Sequence, residues 1–364
     1  MATIELKNLS HWYGTHMGKG EKSEFSIQDL NISWEDGSAN ALLGPSGCGK
    51  TTILNIISGL LHPKKGQILF DGKDVTALSP KDRHIAQVFQ FPVVYDSMDA
   101  FDNLAFPLRN DGVPEKEIKP RVEEIAEILE LTDILGISSG KLTAADKQKV
   151  SLGRGIVRKS TAVVMLDEPL TVIDPKLKWA LRRKLRQVQR QLKVTMIYVT
   201  HDQHEALTFA DHVTIMKDGD IIQTGTPEEL HSEPESPFIG YFIGSPGMNV
   251  LDCTLEGETL NLDKFSIGLS PGLTAKLSPH GNQFRLGIRP EFVQVSQEQH
   301  EGWFPFTVLV VEDTGAYKVL TLTLEDLKIK ARVSELMVVH EDEQVWVDFP
   351  EDKFKLFKNE KKIY

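Results

Sequence analysis

The chain of 364 residues has little cysteine, no long apolar run and no excess of positive charge. Its two cysteines, Cys48 and Cys253, are too few for a disulfide framework, which predicts a reduced, cytosolic setting. No run of 18 or more apolar residues is present, so we expect no membrane-spanning helix, and the first ten residues carry no apolar signal core. The net charge of −11 argues against a general nucleic-acid-binding protein, although a local basic patch stays compatible with it.

The length of the chain exceeds what one compact core usually holds, which predicts two domains. Up to about residue 240, predicted strands alternate with predicted helices, as in a layered α/β domain, with a polar loop at 16–22. From about residue 245, short alternating runs with Gly and Pro are typical of a small all-β barrel or sandwich. We therefore expect the domain boundary near residues 244–247.

One Gly-rich segment has the spacing of a phosphate-binding loop, between an apolar run at 39–43 and a helix-like segment at 52–60. Glycines let backbone N–H groups turn toward phosphate oxygens, and the following helix directs its positive end at them. Lys50 supplies a charge for the outer phosphates, and the Thr51 hydroxyl is a ligand for Mg²⁺. The segment predicts binding of a nucleoside triphosphate, the alternative being a Gly-rich turn that happens to precede a helix. Its residues are Gly44, Pro45, Ser46, Gly47, Cys48, Gly49, Lys50 and Thr51.

Polar side chains close three of the predicted apolar strands: Gln90, then Asp167 with Glu168, then His201. Each has an ordinary structural explanation when taken alone. Ligands of open α/β sheets gather at the carboxyl ends of strands, so together they predict one site. There we expect Asp167 near Mg²⁺, Glu168 on the attacking water and His201 on the terminal phosphate, with Gln90 near either Mg²⁺ or the water.

Two aromatic features are open to either of two interpretations. Tyr13, at the end of the first predicted strand, either stacks on a nucleotide base or packs against the sheet edge. Residues 91–109 are rich in Phe, Pro, Tyr and Asp without a clean period, which predicts a loop-rich surface. That surface either contacts other proteins or is a locally packed loop.

In their order, these motifs resemble those of the ATPase subunit of ATP-binding cassette (ABC) transporters. The resemblance covers residues 1–240 and implies a P-loop ABC ATPase domain, with a RecA-like core and a helical subdomain at about 91–160. In this resemblance, Tyr13 corresponds to the adenine-stacking aromatic, and the segment Gly44–Thr52 corresponds to the Walker A loop. Gln90 corresponds to the Q-loop, and residues 163–168 correspond to Walker B, whose catalytic glutamate is Glu168. The D-loop corresponds to Thr171, Val172, Ile173 and Asp174, and the switch histidine corresponds to His201.

The tail at 245–364 is similar to the OB-type regulatory domain of maltose-type importer ATPases, through Gly287, Ile288, Arg289, Pro290 and Glu291. Those ATPases serve sugars, polyols and glycerol derivatives. The resemblance implies an all-β OB-like C-terminal domain and an ATP- and Mg²⁺-dependent subunit that energises import of a small carbohydrate, glycerol or glycerol phosphate. It also implies peripheral attachment at the cytoplasmic face of the inner (cell) membrane. The implied partners are two transmembrane permease subunits, a second ATPase subunit and, indirectly, a solute-binding protein, with no nucleic acid.

The chain departs from this family at the signature motif. The family has Leu-Ser-Gly-Gly-Gln there, and one subunit's signature completes the ATP site of the other. Alanine adds a Cβ atom where backbone approaches phosphate, and Asp146 adds a carboxylate. We therefore predict a heterodimer with an ATPase subunit of standard signature, with a homodimer that tolerates the variant as the alternative. The residues in question are Leu142, Thr143, Ala144, Ala145 and Asp146.

Two other functions are weighed against this one. A mainly ATP-binding regulatory subunit, with a barrel domain that senses a cytosolic signal, is disfavoured by the presence of Glu168 and His201. A soluble nucleic-acid ATPase is suggested because OB-type barrels bind oligonucleotides. From Ser245 onward, however, 19 acidic residues stand against 13 basic ones, which opposes that function.

Overall fold

The computed structural model describes residues 2–14 and 25–364, so the loop expected at 16–22 lies outside the described residues. The chain divides into two compact units, Met1–Pro227 and Glu228–Tyr364. Residues 231–243 belong to the second unit, where Arg289 donates hydrogen bonds to the carbonyl oxygens of His231 (2.7 Å) and Ile243 (2.6 Å). Each unit is described separately below.

The first unit is built from strands and helices that largely alternate along the chain. Its helices are α1 (Lys50–Ser58), α2 (Ala100–Asn110), α3 (Glu115–Leu129), α4 (Ala144–Ile156), α5 (Pro175–Leu192) and α6 (Gln203–Phe209), with short 3₁₀ turns at Thr132–Ile134 and Ser139–Lys141. Its strands are β1 (Ile4–Trp12), β2 (Phe25–Trp34), β3 (Ala39–Leu43), β4 (Lys65–Phe70), β5 (Lys73–Asp74), β6 (Ile85–Val88), β7 (Val163–Asp167), β8 (Met196–Thr200), β9 (His212–Lys217) and β10 (Asp220–Gly225).

Two sheets organise this unit. A four-stranded antiparallel sheet has the order β2-β1-β4-β5, and a six-stranded sheet has the order β10-β9-β3-β8-β7-β6. In the larger sheet, β9, β3, β8, β7 and β6 pair in parallel, and β10 joins the edge as the second strand of a hairpin. Strands β3 and β8 are buried along their whole length, as expected where both faces of a parallel sheet are covered. The carboxyl ends of β3, β6, β7 and β8 therefore lie along one edge.

The structure corrects the expectation for residues 91–109. Helix α2 occupies the second half of that segment, and residues 91–94 form no helix, strand or hydrogen-bonded turn. Asp99 caps the helix by accepting a hydrogen bond from the Asp102 N–H at 2.7 Å. The apolar residues Ala100, Leu104 and Leu108 recur every four positions and are buried, although Pro107 and the flanking aromatics obscure that period in the sequence.

The second unit consists mainly of two antiparallel sheets that share one apolar core, in which residues such as Leu286 and Phe306 are fully buried. The side chain of Asn249 joins the sheets, since it accepts from the N–H of Lys330 at 2.7 Å and donates to its carbonyl at 2.8 Å. The sheet orders are β13-β12-β11-β14-β20-β21 and β15-β19-β16-β17-β18. The elements are α7 (Pro227–Ser232), α8 (Pro237–Phe242), β11 (Asn249–Glu256), β12 (Thr259–Leu262), β13 (Phe265–Gly268), α9 (Pro271–Leu277), a 3₁₀ turn (Ser278–His280), β14 (Gln283–Ile288), β15 (Gln294–Ser296), β16 (Phe304–Asp313), β17 (Tyr317–Leu324), β18 (Leu327–Ser334), β19 (Gln344–Asp348), β20 (Lys355–Lys358) and β21 (Lys361–Lys362).

Candidate nucleotide site

The phosphate-binding segment forms the turn between β3 and α1, and its shape depends on glycine. Gly49, the residue before α1, has φ of 103°, and Gly47 has φ of 84°, both in the left-handed region. A Cβ atom on Gly49 would lie 2.4 Å from the carbonyl oxygen of Ser26, and one on Gly44 would lie 2.3 Å from that of Met216. Side chains at these two positions would collide with backbone, so the loop conformation requires glycine there.

Lys50 places its ammonium group inside this turn. The side chain is nearly fully buried, and Nζ donates to the carbonyl oxygens of Gly44 at 2.8 Å and Pro45 at 2.9 Å. The Cys48 sulfur lies 3.7 Å from the same nitrogen, and burial raises the pKa of its thiol although Lys50 opposes the shift. The loop therefore carries one buried cation and a neutral thiol. Helix α1 begins with neither a side-chain cap nor an acidic residue in its first turn, which leaves its N–H groups suited to an anion.

Asp167, at the end of β7, lies next to the start of α1. Burial, reinforced by the charge of Glu168, raises the pKa of Asp167, whereas the charge of Lys50 and a hydrogen bond with the Thr51 hydroxyl lower it. A carboxylate and a hydroxyl are the oxygen ligands that Mg²⁺ prefers, so this pair fits the ion. The described residues hold no cluster of three or more His, Cys, Asp or Glu of metal-binding geometry. Mg²⁺ would thus take its remaining ligands from phosphate and water, which is its usual behaviour in nucleotide sites.

The Glu168 carboxylate is held at both of its oxygen atoms. Its Oε1 lies 3.1 Å from Nδ1 of His201, which follows β8, and its Oε2 accepts a hydrogen bond from the Thr171 hydroxyl at 3.3 Å. The Glu168 backbone has φ of 45°, a conformation that a non-glycine residue adopts only when its surroundings enforce it. One constraint is visible, because the Glu168 N–H donates to the Val199 carbonyl at 2.9 Å. The predicted pair of Glu168 and His201 is thus brought into contact by two neighbouring strands.

Tyr13 lies beside the beginning of α1 and is 59% exposed as a residue. Its hydroxyl is 3.2 Å from the Thr52 hydroxyl, which in turn is 2.9 Å from that of Ser26. The ring edge of His11 meets the ring of Tyr13, with centroids 5.0 Å apart. An exposed aromatic face thus stands next to the phosphate loop, as a base-stacking residue requires. Gln90 follows the end of β6 and is half-buried.

The altered signature residues begin α4, and a hydrogen-bonded pair closes that helix end. The Thr143 hydroxyl accepts from the Asp146 N–H at 3.1 Å and donates to the Asp146 carboxylate at 2.6 Å. Ala144 and Ala145 form the first helical turn between them. The hydroxyl proton of Thr143 and the positive end of α4 are both directed to the chain's own Asp146.

Sequence reasoning did not single out Glu205, whose carboxylate is buried and lies four residues after His201. The available signal is the pattern of Asp202 followed by Glu205, an N-cap residue with Glu three positions later.

The fold and this set of residues define a P-loop nucleotide-binding protein, and comparisons with known proteins identify its family. The ABC transporter family matches residues 27–171, the MalK OB fold domain matches residues 244–293 and the TOBE domain matches residues 286–357. Among solved structures, cbiO1 of Clostridium perfringens, described as part of the ABC transporter complex cbiONQ, aligns with a TM-score of 0.57 at 27% identity, over 63% of this chain and 90% of that chain.

Curated relatives match nearly the whole chain. The trehalose/maltose import ATP-binding protein MalK of Thermococcus litoralis is 38% identical over 91% of this chain and 93% of its own length. The sn-glycerol-3-phosphate import ATP-binding protein UgpC of Salmonella typhi is 39% identical over 99% of both chains. The xylose/arabinose import ATP-binding protein XacK of Haloferax volcanii is 36% identical over 99% of this chain and 94% of its own.

This chain belongs to the family of ABC transporter ATP-binding proteins, and it is an ATPase subunit whose activity is coupled to transport. The predicted family, the predicted fold class and the binding of ATP are confirmed by these matches. In the part of the chain that the structure describes, no helix has the length and apolar character needed to cross a bilayer.

Proposed function

We propose that this chain energises an ABC importer for a small carbohydrate, polyol or glycerol phosphate, and that it contributes the hydrolytic half of one ATP site. The observation that carries the proposal is the meeting of Lys50, Asp167, Glu168 and His201 at one edge of the sheet. Relatives named for import of trehalose/maltose, sn-glycerol-3-phosphate and xylose/arabinose support the solute class. The chain attaches to the cytoplasmic face of the cell membrane through two permease subunits, which take up solute from a binding protein.

In this site the chain's own residues bind and orient the nucleotide. The loop from Gly44 to Thr51 and the start of α1 surround the phosphates, Lys50 moves from its carbonyl partners to the outer phosphates, and Tyr13 stacks on the base. Thr51, Asp167 and Gln90 would hold Mg²⁺. When bound, Mg²⁺ neutralises charge that develops on the terminal phosphate oxygens.

Hydrolysis requires a base for the attacking water, and Glu168 takes that role. His201 and Thr171 orient its carboxylate by one contact on each oxygen. His201 also contacts the terminal phosphate once ATP is bound, so it links the phosphate to the base. Residues 91–106, which follow Gln90, carry the resulting movement to the permease.

The signature region favours a second, different ATPase subunit as the partner. Its Thr143 hydroxyl donates to Asp146 within this chain. In the proposed dimer, a second subunit's ATP brings its terminal phosphate to the Asp146 carboxylate. Two like charges at that place oppose closure of the dimer. The competent site therefore combines this chain's phosphate loop, Asp167 and Glu168 with the partner's signature.

The proposal is tested on the assembled transporter, purified from its native host. Mass spectrometry identifies the subunits, and a single-turnover experiment counts the ADP molecules formed per complex. We expect two different ATPase chains and one fast site per complex. A complex with this ATPase alone and two equally fast sites contradicts the heterodimer. A complex in which this chain's site binds ATP without turnover would instead support the regulatory-subunit alternative.

A further inference from the structure

Glu205 is a buried carboxylate to which the catalytic scheme above gives no role. It lies on α6 with only 4% of its surface exposed, and burial of a charge is costly unless hydrogen bonds and an opposite charge compensate it. Its Oε2 accepts two hydrogen bonds of 3.0 Å, from the Tyr198 hydroxyl and from the Thr200 hydroxyl. Its Oε1 lies 3.5 Å from the ammonium group of Lys178. Glu205 is therefore a fully partnered anion in the interior of the unit.

These contacts reach both chain neighbours of His201. The Thr200 hydroxyl, while it donates to Glu205, accepts a hydrogen bond from the Asp202 N–H at 3.0 Å. The Asp202 side chain in turn caps α6 by accepting from the N–H groups of His204 (2.7 Å) and Glu205 (3.2 Å). These bonds hold the Thr200 side chain and the peptide unit between His201 and Asp202, while the imidazole itself is 56% exposed and contacts Glu168.

The third partner connects this arrangement to another segment of the site. Lys178 belongs to the first turn of α5, which starts directly after the loop from Thr171 to Asp174. The helix that follows Thr171 and the strand end that carries His201 therefore meet at one carboxylate. Thr171 and His201 are the two residues that hold the two oxygens of Glu168.

We propose that Glu205 is a positioning residue for His201, acting through Thr200 and Asp202 to hold the imidazole at the Glu168 carboxylate. Because its carboxylate is buried and bound by Tyr198, Thr200 and Lys178, Glu205 acts on His201 through neighbouring residues. The inference rests on the proposed role of His201 in hydrolysis.

The two hydroxyl donors to Glu205 provide a matched pair of variants. Both are buried, and both donate to the same oxygen at 3.0 Å, but only the Thr200 hydroxyl also binds the backbone beside His201. In the assembled transporter, we expect Thr200→Val to lower kcat for ATP hydrolysis about tenfold or more, with KM for ATP within about twofold of wild type. Tyr198→Phe, which removes a hydroxyl of equal burial, should leave kcat within about twofold. Thr200→Ser, which keeps the hydroxyl, should restore the rate.

A second readout reports the imidazole directly. In NMR spectra of the full chain with labelled histidine, the His201 ring signals should shift in Thr200→Val and stay in place in Tyr198→Phe. If Thr200→Val and Tyr198→Phe lose kcat equally, Glu205 serves only the stability of the fold and the inference is overturned. An unchanged kcat in Thr200→Val would also overturn it.

His201→Ala is measured in parallel. Full activity of that variant would refute the role of His201 itself, whereas an inactive His201→Ala beside an active Thr200→Val would refute only the positioning by Glu205.

Discussion

Nδ1 of His201 lies 3.1 Å from Oε1 of Glu168. An ionised carboxylate only accepts hydrogen bonds, so in this contact the Nδ1 proton of His201 faces the Glu168 carboxylate. The Thr171 hydroxyl occupies the other oxygen, Oε2, at 3.3 Å. The base proposed for the attacking water is thus oriented from both sides, by residues on two separate segments of the chain. Each carboxylate oxygen keeps a further lone pair, so Glu168 can accept the proton of water while both contacts hold it in place.

Glu168→Gln should preserve ATP binding and remove most of the turnover, because an amide keeps the shape of the side chain but accepts no proton. We expect kcat to fall about a hundredfold or more, with nucleotide affinity unchanged within a few-fold. Turnover is measured on the assembled transporter, and affinity is measured by equilibrium titration. Glu35→Gln, an exposed substitution of the same kind in the same unit, serves as the control. Unchanged hydrolysis in Glu168→Gln would refute the assigned role.

Asp146→Gln should increase hydrolysis at the site that contains this chain's signature. The substitution replaces the carboxylate that receives the Thr143 proton with a neutral amide, a weaker acceptor that does not repel a phosphate. Helix α4 loses an acidic residue from its first turn, at a cost of about 0.3–1 kcal/mol in folding free energy. Turnover is measured in a complex that carries Glu168→Gln, so that the other site is silent.

Glu117→Gln, at an exposed position on α3, is the matched control for Asp146→Gln. It should leave the residual turnover unchanged. If Asp146→Gln leaves that turnover unchanged as well, the bond between Thr143 and Asp146 does not limit the second site.

Asp167→Asn should stabilise the nucleotide-free chain at neutral pH while it weakens binding of Mg²⁺ and ATP. Burial and Glu168 raise the pKa of Asp167 in the folded chain, so the folded state favours the neutral carboxyl. The contribution of this group is therefore most favourable below its unfolded pKa, and it is lost as the pH rises through the folded pKa. Thermal unfolding should show a higher Tm for Asp167→Asn at pH 7, with a difference that shrinks as the pH falls toward 4.

Addition of Mg²⁺ and ATP should make the wild type more stable than Asp167→Asn, because only the wild type binds Mg²⁺-ATP tightly. An Asp167→Asn variant that gains as much Tm from Mg²⁺ and ATP as the wild type would show that Asp167 is no ligand of the ion.

Arg289→Met should destabilise the second unit by about 2–4 kcal/mol, because the carbonyl oxygens of His231 and Ile243 lose their buried donor. Burial lowers the pKa of Arg289 to about 10, which shows how much of the guanidinium is removed from water. The free energy of unfolding is measured by denaturant titration of the full chain. Arg285→Met is the control, since its guanidinium pairs with exposed Glu360, and a change of at most about 1 kcal/mol is expected. Equal effects of the two variants would contradict the role assigned to Arg289.

The amino-acid sequence by itself determined the family and most of the candidate site. The phosphate loop is a local pattern, in which glycine, Lys50 and Thr51 follow a strand at fixed spacing. The meeting of Glu168 and His201 followed from a rule of topology, since parallel strands end at one edge of a sheet. The turn between β9 and β10 is likewise a local signal, because Asp218 and Gly219 are the residue types that a tight hairpin turn with positive φ requires.

Only the tertiary structure decided which polar groups are buried and what they bind. The sequence marks Arg289 only as part of a family motif and does not single out Glu205, and the partners of both side chains lie on other helices, strands or turns. The sequence did not predict helix α2, because Pro107 and the aromatic residues interrupt its helical spacing of apolar residues. In the structure, the buried residues of this helix form one face that packs in the interior. The bond between Thr143 and Asp146 depends on side-chain rotamers at the start of α4, which residue types alone do not specify. The altered signature is readable in the sequence, but the structure shows that its hydroxyl is already engaged within this chain.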